Sequence, residues 1–209
     1  MADRAVLFVD GNNWFHALQE IGVADRMRLD YAKISQKLLG PRIWVGTRYY
    51  IGRVTHNATF MANQEQFTTQ LTAKDSRITA HFGRIEKRPA DNPLADDLLR
   101  YLAQLKTPID KAVYHDLVAM GQSQKRLPVF VEKAVDVMLA VDMVTMAVNG
   151  DYEAAYLLSS DGDFTHAVQF VRAQGKKVYV ASPLPGAQLA KVANTFLPLA
   201  RPWFLDCYP

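Results

Sequence analysis

The sequence predicts an α/β fold, a three-layer sandwich with a mostly parallel central sheet. Two observations carry that expectation. Residues 4–9 (RAVLFV) form a continuous apolar run ended by Asp-Gly, the pattern of a strand buried on both faces. Residues 155–158 (AYLL) and 177–181 (KVYVA) flank a segment in which Phe164, Ala167, Val168 and Val171 recur at i, i+3, i+4, i+7, with Gly175 as a C-cap. Strand, helix and strand at that spacing make a βαβ unit, and repeated alternation of this kind places helices on both faces of a parallel sheet.

The remaining elements follow in order. Residues 47–51 (TRYYI) and 77–82 (RITAHF) are β-prone, are each followed by Gly, and are expected as strands flanking the first. Helices are expected over residues 31–39, 57–72, 94–105, 109–120 and 134–148. The stretch 84–127 carries Pro89, Pro93 and Pro108, with Pro128 just beyond it, around two of these helices. It reads as a helical insertion in a single domain covering residues 1–209.

Composition sets the outer bounds. With 49% hydrophobic and 22% charged residues in 209, the chain can bury a sizeable core, which excludes a disordered or fibrous protein. Twenty-four Lys and Arg stand against 21 Asp and Glu, a net +3 that admits a polyanionic partner without requiring one. The single Cys207 excludes an intramolecular disulfide framework and a Cys-ligated zinc site, and fits a cytoplasmic setting. No apolar stretch is long enough to span a bilayer, so no membrane role is expected.

Three motifs bear carboxylates. Asp10 directly follows the first strand, in VDGNN, where it is equally suited to a site at the sheet edge and to capping a helix. After AYLL comes Ser159, Ser160, Asp161, Gly162, Asp163 and then a helix. Two carboxylates two residues apart cannot both cap that helix, and like charges held together call for a counter-charge, most simply a divalent metal. The third motif, KAVDVMLAVD over 133–142, places Asp136 and Asp142 in a helix that is apolar all round and therefore expected in the core. Six positions at about 100° each put the two on different faces. Asp136, one turn from Lys133, is assigned to the cluster or, as the plainer alternative, to the favourable end of the helix dipole. Asp142 is expected to pair with a cation or to support the site from behind, as is Lys133.

Asp10, Asp136, Asp161 and Asp163 form an all-oxygen set suited to Mg²⁺ or Mn²⁺ rather than zinc. Such ions neutralise phosphate and activate water, so a phosphodiester substrate follows.

VDGNN, KAVDVMLAVD, and LSSDGDF with the later GKKVYV and LAKVANTFLPL, together resemble the NYN domain, in particular its LabA-like branch, within the PIN-like nuclease superfamily. The resemblance runs over nearly the whole chain in order. It implies a PIN-like, Rossmann-like sandwich and metal-dependent cleavage of RNA by hydrolysis. By it the four Asp match the family's acidic positions, and Asn13 and Ser159 its polar companions. Three departures stand out: the stretch before Lys133 is longer, Ala134 stands where Gly is common, and Asn194 replaces an Asp.

An acidic pocket needs cations around it to hold single-stranded RNA. Arg84, Lys87 and Arg88 are the first candidates, then Arg48 and Arg53 with the nearby Arg42, Trp44, Tyr49 and Tyr50. Lys125 and Arg126 also flank the insertion. The five His show no ligand-like spacing; His16, His81 and His166 lie near motifs, and a structural hydrogen bond is the expected role of each. Two further classes stay open: a non-catalytic RNA-binding or protein-binding module that keeps the fold, and a metal-dependent phosphatase for small molecules.

Overall fold

A computed structural model describes residues 2–55 and 57–209. His56 lies outside the described residues. Seven strands form one sheet in the order β4-β3-β2-β1-β5-β6-β7: β1 (Arg4–Asp10), β2 (Ile43–Arg53), β3 (Ile78–Asp91), β4 (Arg126–Lys133), β5 (Ala154–Leu158), β6 (Lys177–Ser182) and β7 (Thr195–Pro198). β1 pairs in parallel with both β2 and β5, and β2–β3, β5–β6 and β6–β7 are also parallel. The helices are α1 (Gly11–Glu20), α2 (Tyr31–Leu39), α3 (Ala58–Ala73), α4 (Pro93–Ala103), α5 (Lys111–Ser123), α6 (Val135–Val148), α7 (Thr165–Ala173) and the single turn α8 (Leu189–Val192).

Strand alternation builds the three layers. Ala5, Leu7 and Val9 of β1 face a core with Trp14, Leu18, Ile34, Tyr49 and Phe67, while Val6 and Phe8 face the opposite core with Leu139, Met143, Val168 and Val171. One run of residues thus anchors two cores, which is why residues 5–9 are continuously apolar while Arg4, before them, is exposed.

The molecule divides into two compact units, Met1–Arg84 with Glu132–Pro209, and Ile85–Val131. In the second, Gly121 lies so close to Leu99 that an added Cβ would meet its side chain at 2.9 Å. The same unit is held by Asn92, whose N–H and side-chain amide donate to the carbonyls of Lys125 and Gln124.

Several expectations need correction. α1 was not among the expected helices, because Gly and two Asn open it; the Asp10 cap and burial of Trp14, Ala17 and Leu18 outweigh those weak helix formers. β3 continues to Asp91 and β4 occupies residues 126–133, so both ends of the expected helical insertion are strand. β4 lies at the edge of the sheet, the setting in which a strand accommodates a proline such as Pro128. β7 was also missed, being only four residues long. α6 is not a core helix. Val135, Leu139, Met143 and Ala147 bury one face, while Val137 (66% exposed) and Val141 (54%) stand in solvent. Gly175, at φ +77°, ends α7 in the left-handed conformation expected of a C-cap. Among the described residues no helix is long and apolar enough to cross a membrane.

Candidate metal centre

The order β2-β1-β5 places the carboxyl ends of β1 and β5 side by side, where the sheet connections switch direction; open parallel sheets bind ligands at such a point. Asp10 ends β1 and is 2% exposed. One carboxylate oxygen accepts the Asn13 N–H (3.3 Å), capping α1, and the other accepts the Ser159 hydroxyl (2.8 Å). Capping and membership of a site are therefore compatible in one residue. Ser159, buried at the end of β5, also accepts the Asp161 N–H at 3.0 Å. Asn13 Oδ1 accepts the N–H (3.0 Å) and hydroxyl (3.2 Å) of Ser160. Three of these bonds, Ser159 to Asp10 and the two from Ser160 to Asn13, clasp the β1–α1 turn to the β5 loop. Gly11 is required within that clasp, because a Cβ there would lie 2.5 Å from the Tyr49 ring and 2.6 Å from the Tyr50 carbonyl.

Asp161 caps the 3₁₀ turn Gly162–Phe164 by accepting the Asp163 N–H at 2.9 Å. Asp163 therefore supplies its amide to the cap and keeps its carboxylate free of it. Asp136 stands in the first turn of α6. Loss of solvation raises its carboxyl above the usual range, and the charges of Asp161 and Asp163 add to that. Burial pushes Asp10 up to about 7; bonds from Ser159 and Asn13 oppose this, while the charges of Asp136 and Asp161 reinforce it. Asp136 thus links the four electrostatically, feeling Asp161 and Asp163 and acting with Asp161 on Asp10.

Glu132 is a fifth carboxylate, which the sequence reading missed. It accepts the Gly52 N–H at 2.7 Å, and burial, with a contribution from the charge of Asp136, raises its pKa. It immediately precedes Lys133 in the third motif, and it is one of only five Glu in the chain. That position was the signal available. Lys133 itself is half-buried.

Among the described residues no three His, Cys, Asp or Glu side chains already stand as a ready ligand group. The donor chemistry nevertheless fits a hard, hydrated cation. Mg²⁺ is held through one or two carboxylates and keeps several waters, and mutually repelling oxygen donors of this kind gain from a counter-charge.

Asp142 sits elsewhere. It pairs with Arg48 (2.7 Å) and accepts the Tyr50 hydroxyl (2.8 Å), while Arg48 Nε also donates to that hydroxyl. Burial works to raise its pKa, but Arg48 and Tyr50 outweigh it and hold it below the usual range. Arg48 is therefore committed within the fold, and so is Arg42, which donates to Tyr156 and Tyr179. Trp44, Tyr49 and Tyr50, offered as stacking platforms, are core residues no more than 8% exposed. Arg53 lies over the Phe82 ring at 4.2 Å and Arg88 pairs with Glu86 at 2.6 Å. Arg84 and Lys87 are exposed in β3. Lys125 and Arg126 approach Asp96 and Asp91. His81 stacks on Tyr50 and bonds Thr79, while His16 and His166 are exposed. Asn194 joins β6 through Val178, away from the carboxylates. Cys207 is fully buried in the core, with its thiol pushed up to about 11 by burial.

The α/β sheet of this order, flanked by helices, is that of the PIN-like, Rossmann-like class of folds. A family model for the NYN domain matches residues 4–200, and the chain belongs to that family. NYN domains are a PIN-like nuclease family, generally directed at nucleic acid and typically using divalent metals. A crystal structure of a protein of unknown function from Vibrio parahaemolyticus is similar at 18% identity, with a TM-score of 0.58 over 99% of this chain and 96% of that one. That likeness concerns the fold. No curated protein matches.

Proposed function

We propose that the protein is a metal-dependent ribonuclease of the LabA-like branch, acting in the cytoplasm on single-stranded RNA. The observation that supports it is the electrostatic linkage of Asp10, Asp136, Asp161 and Asp163, from three separate elements, at the switch point of the sheet. Asp10, Asp136, Asp161 and Asp163 would hold Mg²⁺ or Mn²⁺, which when bound neutralises phosphate charge and lowers the pKa of an attacking water. The chain's own residues do the positioning. Ser159 and Asn13 fix Asp10 against the β5 loop, so these two parts of the site hold their relative position before substrate arrives. Residues 84–127 act as an insertion on this one domain, and Lys87 offers a phosphate contact on it.

The test is incubation of purified protein with end-labelled single-stranded RNA and Mn²⁺. Cleavage by the wild type, lost in EDTA and reduced by orders of magnitude in Asp161→Asn and Asp136→Asn, supports the reading. Equal cleavage by the variants refutes it. Binding without cleavage would favour the non-catalytic module instead.

A further inference from the structure

Beside the carboxylates lies a hollow of about 300 Å³ that the catalytic reading leaves unused. Gly11 and Asn12, which directly follow Asp10, line it together with Asn63, and Phe15 and Phe60 supply aromatic surface above the buried Tyr49. Phe60 is 57% exposed, an unusual cost for a large apolar ring at the mouth of a cleft. Asn12 and Asn63 are exposed, with side chains that enter no hydrogen bond within the described residues.

Two adjoining hollows continue this one along α3, all three sharing Met27 and Phe67. Phe60, Asn63, Phe67, Gln70 and Lys74 follow at i, i+3, i+7, i+10 and i+14, one helical stripe about 20 Å long at 1.5 Å per residue. Arg28 and Lys74 line the far end, both exposed and outside any ion pair among the described residues. No Asp or Glu side chain lines any of the three hollows, although the chain carries 21. An aromatic and amide recess next to the proposed phosphodiester site, leading to two cations along a path that no Asp or Glu side chain lines, has the chemistry of a single nucleic-acid strand. Aromatic faces take any base, amides read base edges, and cations take phosphates.

We propose that the hollow between α1 and α3 receives an unstacked base of the RNA strand and that the phosphates beyond it run along α3 to Arg28 and Lys74. This rests on the ribonuclease reading and moves the main binding path away from Arg48, Arg53 and Arg88, whose side chains the fold already occupies.

The test is fluorescence anisotropy with a short labelled single-stranded RNA, Ca²⁺ replacing Mn²⁺ to prevent cleavage. Phe60→Ala should weaken binding about tenfold with an unchanged salt slope, and Phe60→Tyr should restore it. Arg28→Ala with Lys74→Ala should lower the slope of log affinity against log salt by about 1.4, or about 0.7 per lost phosphate contact. All three positions are exposed, and circular dichroism of each variant checks the fold. If these variants bind like the wild type while the wild type still binds and cleaves RNA, the path lies elsewhere and only this proposal falls. If the wild type neither binds nor cleaves, the ribonuclease reading falls and carries this one with it. If sedimentation shows a dimer that Phe60→Ala dissolves, the cleft is a protein interface and the proposal is overturned.

Discussion

Asp10→Asn removes the one fully buried carboxylate of the candidate centre while keeping its shape. The Asn Oδ1 can still accept the Asn13 N–H, and its amide can donate to Ser159 Oγ, so the substitution isolates charge from packing. Asp10 titrates near 7 in the folded protein against 3.8 without the fold. At 1.36 kcal/mol per pH unit that gap amounts to about 4 kcal/mol. The sign follows from proton counting. Below about pH 4 both states are protonated and the carboxyl costs the fold nothing. Between about 4 and 7 the unfolded chain releases its proton while the native state retains it, so stability falls as pH rises. Above 7 the metal-free wild type bears the whole cost, and Asp10→Asn bears none. Urea denaturation in EDTA should therefore show the variant gaining on the wild type by about 4 kcal/mol from pH 4 to pH 8, about 10 °C in Tm for a chain of this size. With Mn²⁺ at pH 8 the wild type should recover about 2.7 kcal/mol at a hundredfold excess over Kd, and the variant far less. Parallel pH profiles in EDTA would show that Asp10 does not carry a buried charge penalty and would refute the electrostatic account of the centre.

Ser159→Ala leaves one Asp10 oxygen and the Asp161 N–H without partners and should cost about 1–3 kcal/mol by chemical denaturation, with the Asp10 titration moving further up. Gly11→Ala forces a Cβ against the Tyr50 carbonyl as well as the Tyr49 ring, so about 1–3 kcal/mol of stability should be lost and cleavage should fall with it, measured on the same preparation. Arg48→Met leaves Asp142 with the Tyr50 hydroxyl alone and should cost about 1–3 kcal/mol at pH 7. Because Asp142 is held below the usual carboxylate range, that deficit is fully present above its unfolded pKa and should vanish as pH falls through the folded value. RNA cleavage by Arg48→Met, scaled to folded protein, should remain, since Arg48 lies in the fold and not on the proposed strand path.

What the sequence determined by itself was local and periodic. The run RAVLFV, the i, i+3, i+4, i+7 face around Val168 and the cap at Gly175 are short-range signals, so β1, β5, β6 and α7 were legible, and α2 matches its expected bounds. The capping of α1 by Asp10 was legible as one of two readings, because Asp between a buried strand and a Gly-Asn turn is a cap signal within a few residues. The tertiary structure decided whatever depends on what packs against what. It buried one face of α6 and left Val137 and Val141 in solvent, although apolar content alone could not distinguish a core helix from a helix with one buried face. It made β4 an edge strand, the one place where Pro128 is tolerated. It turned Trp44, Tyr49 and Tyr50 inward and tied Arg48 to Asp142, partners 94 residues apart that no window of sequence compares. It also brought Glu132 within reach of Asp136 and set Phe60 beside Asn12, because proximity across elements is fixed only when the sheet order and both cores close around it.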